Sequence, residues 1–276
     1  MLKRPIEEAA REAGAEAVAV GLYDYEGGTS WDLHGDRPFH AASTMKAAVL
    51  VGLADAIERG RFAWEDRLHV RNRFFSAADG RPFRVDPRND ADEEVQAQVG
   101  RTMPLRTLAE HMIRTSSNLA TNLLLDLVGV GAVRETLTRH GVEGVEVVRG
   151  VDDERAFDAG LSNTATANGL VRLFRLVEDG DLKAETREAI RDVLLGQAFR
   201  SGIPAGLPAK ARKEARFAHK TGEISTVQHD AGLVYLPDRA PYALAILTEW
   251  DADQTDGRRD LVAEISELVY HHLTDA

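Results

Sequence analysis

The sequence predicts a mixed fold of the α/β (α+β) class, in which the two ends of the chain build one sheet and the middle forms a helical lobe. Strand-like alternation appears near the N-terminus and again from residue 216, and apolar residues at helical spacing dominate residues 105 to 197 between them. A length of 276 residues is enough for a full core, and 43% hydrophobic with 29% charged residues is ordinary globular composition. The expected organisation is one catalytic unit over 1–276, with a sheet lobe from 1–42 and 211–276 and a helical lobe from 43–210.

Residues 4 to 13 read as an amphipathic helix, and 17 to 25 alternate as a strand. Glu26-Gly27-Gly28 is a turn into a second strand near Ser30 to Leu33. After Ser43, the residues Ala47, Leu50, Leu53, Ala54 and Ile57 recur at helical spacing up to Gly60. Ala48, Val49 and Val51 make that helix apolar nearly all round, which places it in the core with Ser43 at its N-terminus. Residues 72 to 103 are polar, with an acidic run at 90–94, and read as a solvated loop. Helices follow at 105–113, 118–128, 166–178 and 184–195, and 201–208 reads as a crossing between lobes. Strand character returns at 216–219, 227–235 and 242–247, before a closing helix at 259–273.

A net charge of -11 argues against nucleic acid or an anionic membrane as partner. The absence of cysteine excludes disulfides, thiolate metal sites and a cysteine nucleophile. Glu7, Glu8, Arg11 and Glu12 leave the N-terminus without a signal-peptide core. The chain as written reads as cytoplasmic, or as exported if a leader has been removed.

Three short motifs carry chemistry. In Ser43-Thr44-Met45-Lys46, spacing i to i+3 puts a hydroxyl and an amine on one helical face, where a lysine held neutral can take the serine proton. Arginine cannot do this, because it does not deprotonate usefully. Ser116-Ser117-Asn118 opens the helix at 118–128, and Lys220-Thr221-Gly222 ends the strand beginning at Arg216. Chance supplies about 0.2, 0.2 and 0.03 of these motifs, or about one in a thousand jointly. Singly, Ser43, Ser116 and Asn118 read as helix caps and Lys-Thr-Gly as a turn.

In this order the motifs resemble those of the penicillin-recognising serine hydrolases, and within them the class A beta-lactamase type. Ser117 to Leu124 and Ala205-Gly206-Leu207-Pro208 also look like segments of that family. The resemblance implies a beta-lactamase/transpeptidase-like fold, an antiparallel sheet flanked by helices with an inserted all-α lobe, and a site in the cleft between lobes. It makes Ser43 the nucleophile and Lys46, its affinity for a proton lowered by nearby Lys220, the base. Ser116 would pass a proton to the leaving nitrogen, and Asn118 would bind the substrate amide. Lys220 and Thr221 would hold a substrate carboxylate and Gly222 would leave room for a close approach. The backbone N–H groups of Ser43 and Glu223 would form the oxyanion hole.

The family also places a glutamate on an omega loop, here residues 149–164, to activate the water that frees the enzyme. Anchoring that loop on Asp158 puts the glutamate at Glu154, with Asp152 and Asp153 as competing acids; anchoring on Arg149 puts Val151 there. The expected activity is hydrolysis of beta-lactams through an acyl-enzyme, without metal or cofactor, by a monomer acting on a small molecule. The alternatives are a D-amino-acid peptidase, carboxypeptidase or esterase of the penicillin-binding type, and a sensor domain that acylates and stalls.

Overall fold

The computed structural model describes residues 2–254 and 256–275, so the outer bounds of the expected unit, 1 and 276, lie outside the described residues. Helix α1 (Lys3–Ala13) leads into β1 (Ala17–Asp24) and β2 (Thr29–Leu33). The middle of the chain carries α2 (Met45–Glu58), α3 (Glu93–Gln96), α4 (Leu105–Arg114), α5 (Asn118–Val128), α6 (Val130–Arg139), α7 (Glu154–Asp158), α8 (Ala167–Asp179), α9 (Ala184–Leu195) and α10 (Ala209–Glu214). It closes with β3 (Arg216–Ile224), β4 (Val227–Tyr235), β5 (Tyr242–Glu249) and α11 (Arg258–Thr274). The five strands form one antiparallel sheet in the order β3-β4-β5-β1-β2, with Ala17 opposite Glu249 and Val20 opposite Leu33.

The period-2 pattern of the central strands divides the core. Ala17 and Ala19 of β1 and Ala243, Ala245 and Leu247 of β5 face the helical side, while Val18, Val20, Leu22, Leu244 and Ile246 face α1 and α11. Small residues on the helical side let α8 sit close. At Gly21 an added Cβ would lie 3.0 Å from the backbone carbonyl of Ala167. Helix α2, buried from Met45 to Ala56, runs through the middle of the larger core, and its Gly52 meets Val133 of α6 where the two helices cross. No helix among the described residues is long and apolar enough to cross a membrane.

Helices α6 and α10 lie in segments that the sequence reading passes over, and α7 is a short helix within the loop expected at 149–164. Helix α6 restarts straight after Gly129, so its apolar positions read as a tail of α5. The polar stretch 72–103 contains paired strands at 74–75 and 82–83 and the short helix α3. Its acidic run is not simply solvated, because Asp90 and Asp92 are buried while Glu93 and Glu94 stay exposed.

Leu50, fully buried on α2, is packed on all sides by the larger core. Leu50→Ala is expected to cost about 3 kcal/mol of unfolding free energy, read by urea denaturation.

Candidate active site

Ser43 lies in a single 3-10 turn, Ala42–Thr44, that runs directly into α2. The backbone before it is strained, since Ala42 has φ 45° without being glycine. Two histidines brace it. The N–H of Ala42 donates to His40 Nδ1 at 3.0 Å, and His229 Nε2 donates to the His40 carbonyl at 3.0 Å. His229 accepts at Nδ1 from Thr248 N–H at 3.2 Å, which sets its tautomer, and burial pushes its pKa down to about 4. His229 is therefore a neutral strut behind the serine rather than a lining of the cleft.

One turn on, Lys46 is fully buried. Its Nζ donates to the Ser116 carbonyl at 2.5 Å, to Ser116 Oγ at 3.1 Å and to Asn118 Oδ1 at 2.8 Å. Burial pushes the Lys46 pKa down to about 7, against the opposing charges of Asp90 and Asp152. Loss of water is the first cause that lowers this amine, where the sequence pointed to the Lys220 charge. Lys220 is held well below its ordinary value by burial first and by the Lys46 charge second, a repulsion the two amines share. Ser116 sits at φ 61°, and Ser117 is the residue that caps α5, accepting from Ala120 N–H at 3.1 Å. Ser116 and Asn118 are thus free of capping duty and both face the lysine.

Strand β3 is the edge of the sheet and its Gly222 abuts the serine turn. An added Cβ there would come within 3.0 Å of Thr44 Cγ2, 3.1 Å of Thr44 N and 3.2 Å of the Ala41 carbonyl. The close approach made possible by Gly222 is therefore that of the serine turn itself. A pocket of about 530 Å³ opens here, lined by Ser43, Ser116, Asn118, Thr221 and Glu223. Lys220 stands behind its wall, fully buried, with Nζ donating to the Thr221 carbonyl at 2.9 Å. The cations on the wall are Arg200 and Arg259, and Arg259 pairs with Glu223 at 2.8 Å. Sequence reasoning missed both arginines and Gln228, which also lines the pocket, because no short motif marks them. A larger cavity of about 820 Å³ near Arg239 and Tyr270 touches none of the three motifs.

The loop 149–164 is closed at its neck by Asn163, whose Oδ1 accepts from the N–H groups of Val148 and Arg149 at 2.8 and 3.1 Å. Asn122 of α5 holds it a second time, accepting from Val151 N–H and donating to the Val151 carbonyl, each at 2.9 Å. The next residue, Asp152, has φ 60°, and its Oδ2 is buried with no hydrogen-bond partner among the described residues. Burial pushes its carboxyl pKa up. Asp153 is a buried cap of α7, accepting from Ala156 and Ala77 N–H. Glu154 begins α7 and is exposed, on the rim of a small hollow shared with Asn89 and Asp152. The structure does not bring Glu154 to Lys46; Asp90 and Asp152 are the carboxylates whose charge reaches that amine.

A half-buried serine hydroxyl, a buried amine near neutrality one turn away and a second hydroxyl on that amine define a serine hydrolase of the acyl-transfer type, on an antiparallel sheet with a helical lobe. The profile of the Beta-lactamase enzyme family matches residues 1–273, and the chain belongs to that family. A beta-lactamase of Streptomyces fradiae is 26% identical over 268 residues, covering 93% of this chain and 82% of that one. One from Bacteroides uniformis is 25% identical over 181 residues, and the match spans 61% of this chain and only 60% of that protein's length. Among solved structures, a leucine-to-glutamate mutant of PBP-A in an acyl-enzyme complex with penicillin G superposes at TM-score 0.82, with 26% identity over 100% of this chain and 97% of that one. A mutant of the reconstructed class A beta-lactamase ancestor of Gram-negative bacteria gives TM-score 0.83 at 25% identity, covering 99% and 98%.

Gly222→Val drives a branched side chain into the 41–44 backbone. The expected outcome is a loss of about 100-fold in the rate of Ser43 acylation with the melting temperature shifted only modestly, read by stopped-flow mixing with a beta-lactam and by calorimetry.

Proposed function

We propose that this chain hydrolyses beta-lactams as a class A-type serine enzyme, through an acyl-ester on Ser43. The observation that carries the reading is the Lys46 amine, buried, held by Ser116 and Asn118, and poised near pH 7 one turn from the serine. In its neutral form Lys46 takes the Ser43 proton as Oγ attacks the lactam carbonyl. The oxyanion is received by the backbone N–H groups of Ser43 and Glu223. As the carbon–nitrogen bond breaks, Ser116, hydrogen-bonded to Lys46, hands a proton to the departing nitrogen and is recharged from the lysine. Asn118 orients both the lysine and the substrate amide. Thr221, backed by Lys220, and the wall arginines Arg200 and Arg259 hold the substrate carboxylate.

For release of the acyl group, the position of Asp152 supports it as the group that takes a proton from the attacking water, in place of Glu154. Its strained backbone and unpartnered buried oxygen are the marks of a residue held for a task rather than for stability.

Incubation with a chromogenic cephalosporin, followed by intact-mass spectrometry, tests the reading. Turnover with free enzyme at the end is expected, and Ser43→Ala is expected to abolish it. Parent-like turnover by Ser43→Ala would overturn the assignment, and a persistent adduct without turnover would point to a penicillin-binding protein that stalls.

The acids separate by adduct lifetime. Asp152→Asn is expected to lengthen the life of the penicillin adduct about 100-fold, with Glu154→Gln within about twofold of the parent. The reverse pattern would return the role to Glu154.

A further inference from the structure

Asp90 comes from the polar stretch before α4, yet it is buried and its two oxygens are fully engaged. Oδ1 accepts from Asn118 N–H at 3.0 Å and from Asp92 N–H at 3.3 Å. Oδ2 accepts from Leu119 N–H at 3.0 Å, from Gln96 Nε2 at 2.9 Å and from Ser117 Oγ at 3.3 Å. Helix α5 is thus secured twice, by Ser117 from within and by a carboxylate reaching across from another segment, where the first N–H groups of a helix favour negative charge.

Every α5 group that Asp90 grips belongs to residues 117–119, next to Ser116 with its φ of 61°. A strained residue keeps its conformation only when its neighbours over-determine it. The pay-off is aim: Asn118 Oδ1 and Ser116 Oγ both point at Lys46 Nζ.

We propose that Asp90 is a positioning residue of the active site, fixing the Ser116–Asn118 segment against α2 so that both side chains meet Lys46. This rests on the reading of Lys46 as the proton acceptor for Ser43. The charged groups facing that amine are Asp90 from the polar stretch, Asp152 from the loop at 149–164 and Lys220 from β3, and the α5 segment presents only neutral Ser116 and Asn118. An anion at 90 favours the ammonium form, so its loss moves the lysine titration to lower pH, away from a midpoint near 7.

The test follows Lys46 by carbon-13 NMR titration, feasible because the chain has six lysines and the signal is identified by its loss in Lys46→Arg. It is run beside single-turnover acylation by penicillin G. Asp90→Asn is expected to lower the midpoint by about one pH unit, with the acid limb of acylation moving equally. The high-pH acylation rate is expected to fall about tenfold as the aim is lost. Asp92→Asn is the comparator. Asp92 is as deeply buried, and it accepts from Val95 N–H at 3.0 Å and pairs with His111 Nδ1 at 2.6 Å, but it does not act on Lys46. Its variant is expected to melt earlier and leave the midpoint unmoved.

An unmoved midpoint in Asp90→Asn, or an equal shift in Asp92→Asn, would overturn the proposal. Asp90→Ser, which keeps an acceptor for the helix amides, takes the place of Asp90→Asn if that variant does not fold. A parent that is never acylated would sink the beta-lactamase reading instead, and the NMR titration would still decide the place of Asp90.

Discussion

Keeping one amine out of water is the constraint on which the site depends. A buried ammonium is costly unless its surroundings supply acceptors and opposing charge, and here they supply just enough of both to bring Lys46 close to neutrality. Three oxygens receive its protons, and two carboxylates keep it from losing its charge altogether. The groups come from α2, from the residues opening α5, from the polar stretch and from the loop at 149–164. The catalytic unit is therefore not a local motif but a place where four separate segments must be delivered together.

The scaffold delivers them by close approaches of backbone. Strand β3 touches the serine turn through Gly222, α8 touches β1 at Gly21, and α2 crosses α6 at Gly52. Three of the non-glycine residues with positive φ, Ala42, Ser116 and Asp152, surround the reacting groups. Strain is held there because the rest of the molecule is regular: the strands alternate cleanly, and α2 is sealed in the core.

Much of this was legible in the residues. The alternation at 17–25 and 227–247 and the all-round apolar pattern after Ser43 are direct signatures of a sheet and a core helix, and the three motifs mark Ser43, Lys46, Ser116, Asn118 and Lys220 by their spacing. Other parts were not. Asp90 sits in an acidic run whose composition resembles a solvated turn, and only the fold shows that α5 begins beside it. Arg200 and Arg259 are two of 28 arginines and come to the pocket from opposite sides of the sheet in sequence. The loop at 149–164 reads ambiguously because its acids are consecutive, and their spacing does not separate the buried cap Asp153 and the buried oxygen of Asp152 from the exposed Glu154.

The double hydrogen bond from Asn122 to Val151 engages peptide atoms alone. A latch of that kind is indifferent to the side chains of the loop it secures. Exchange of the side chain at 151 therefore leaves the loop fastened, while exchange at 152 leaves the fastening but alters the charge that reaches Lys46. On the role proposed for Asp152, the fastening of the loop and the time for which a captured fragment is retained are thus set by different atoms of neighbouring residues, one by peptide groups and the other by a side chain.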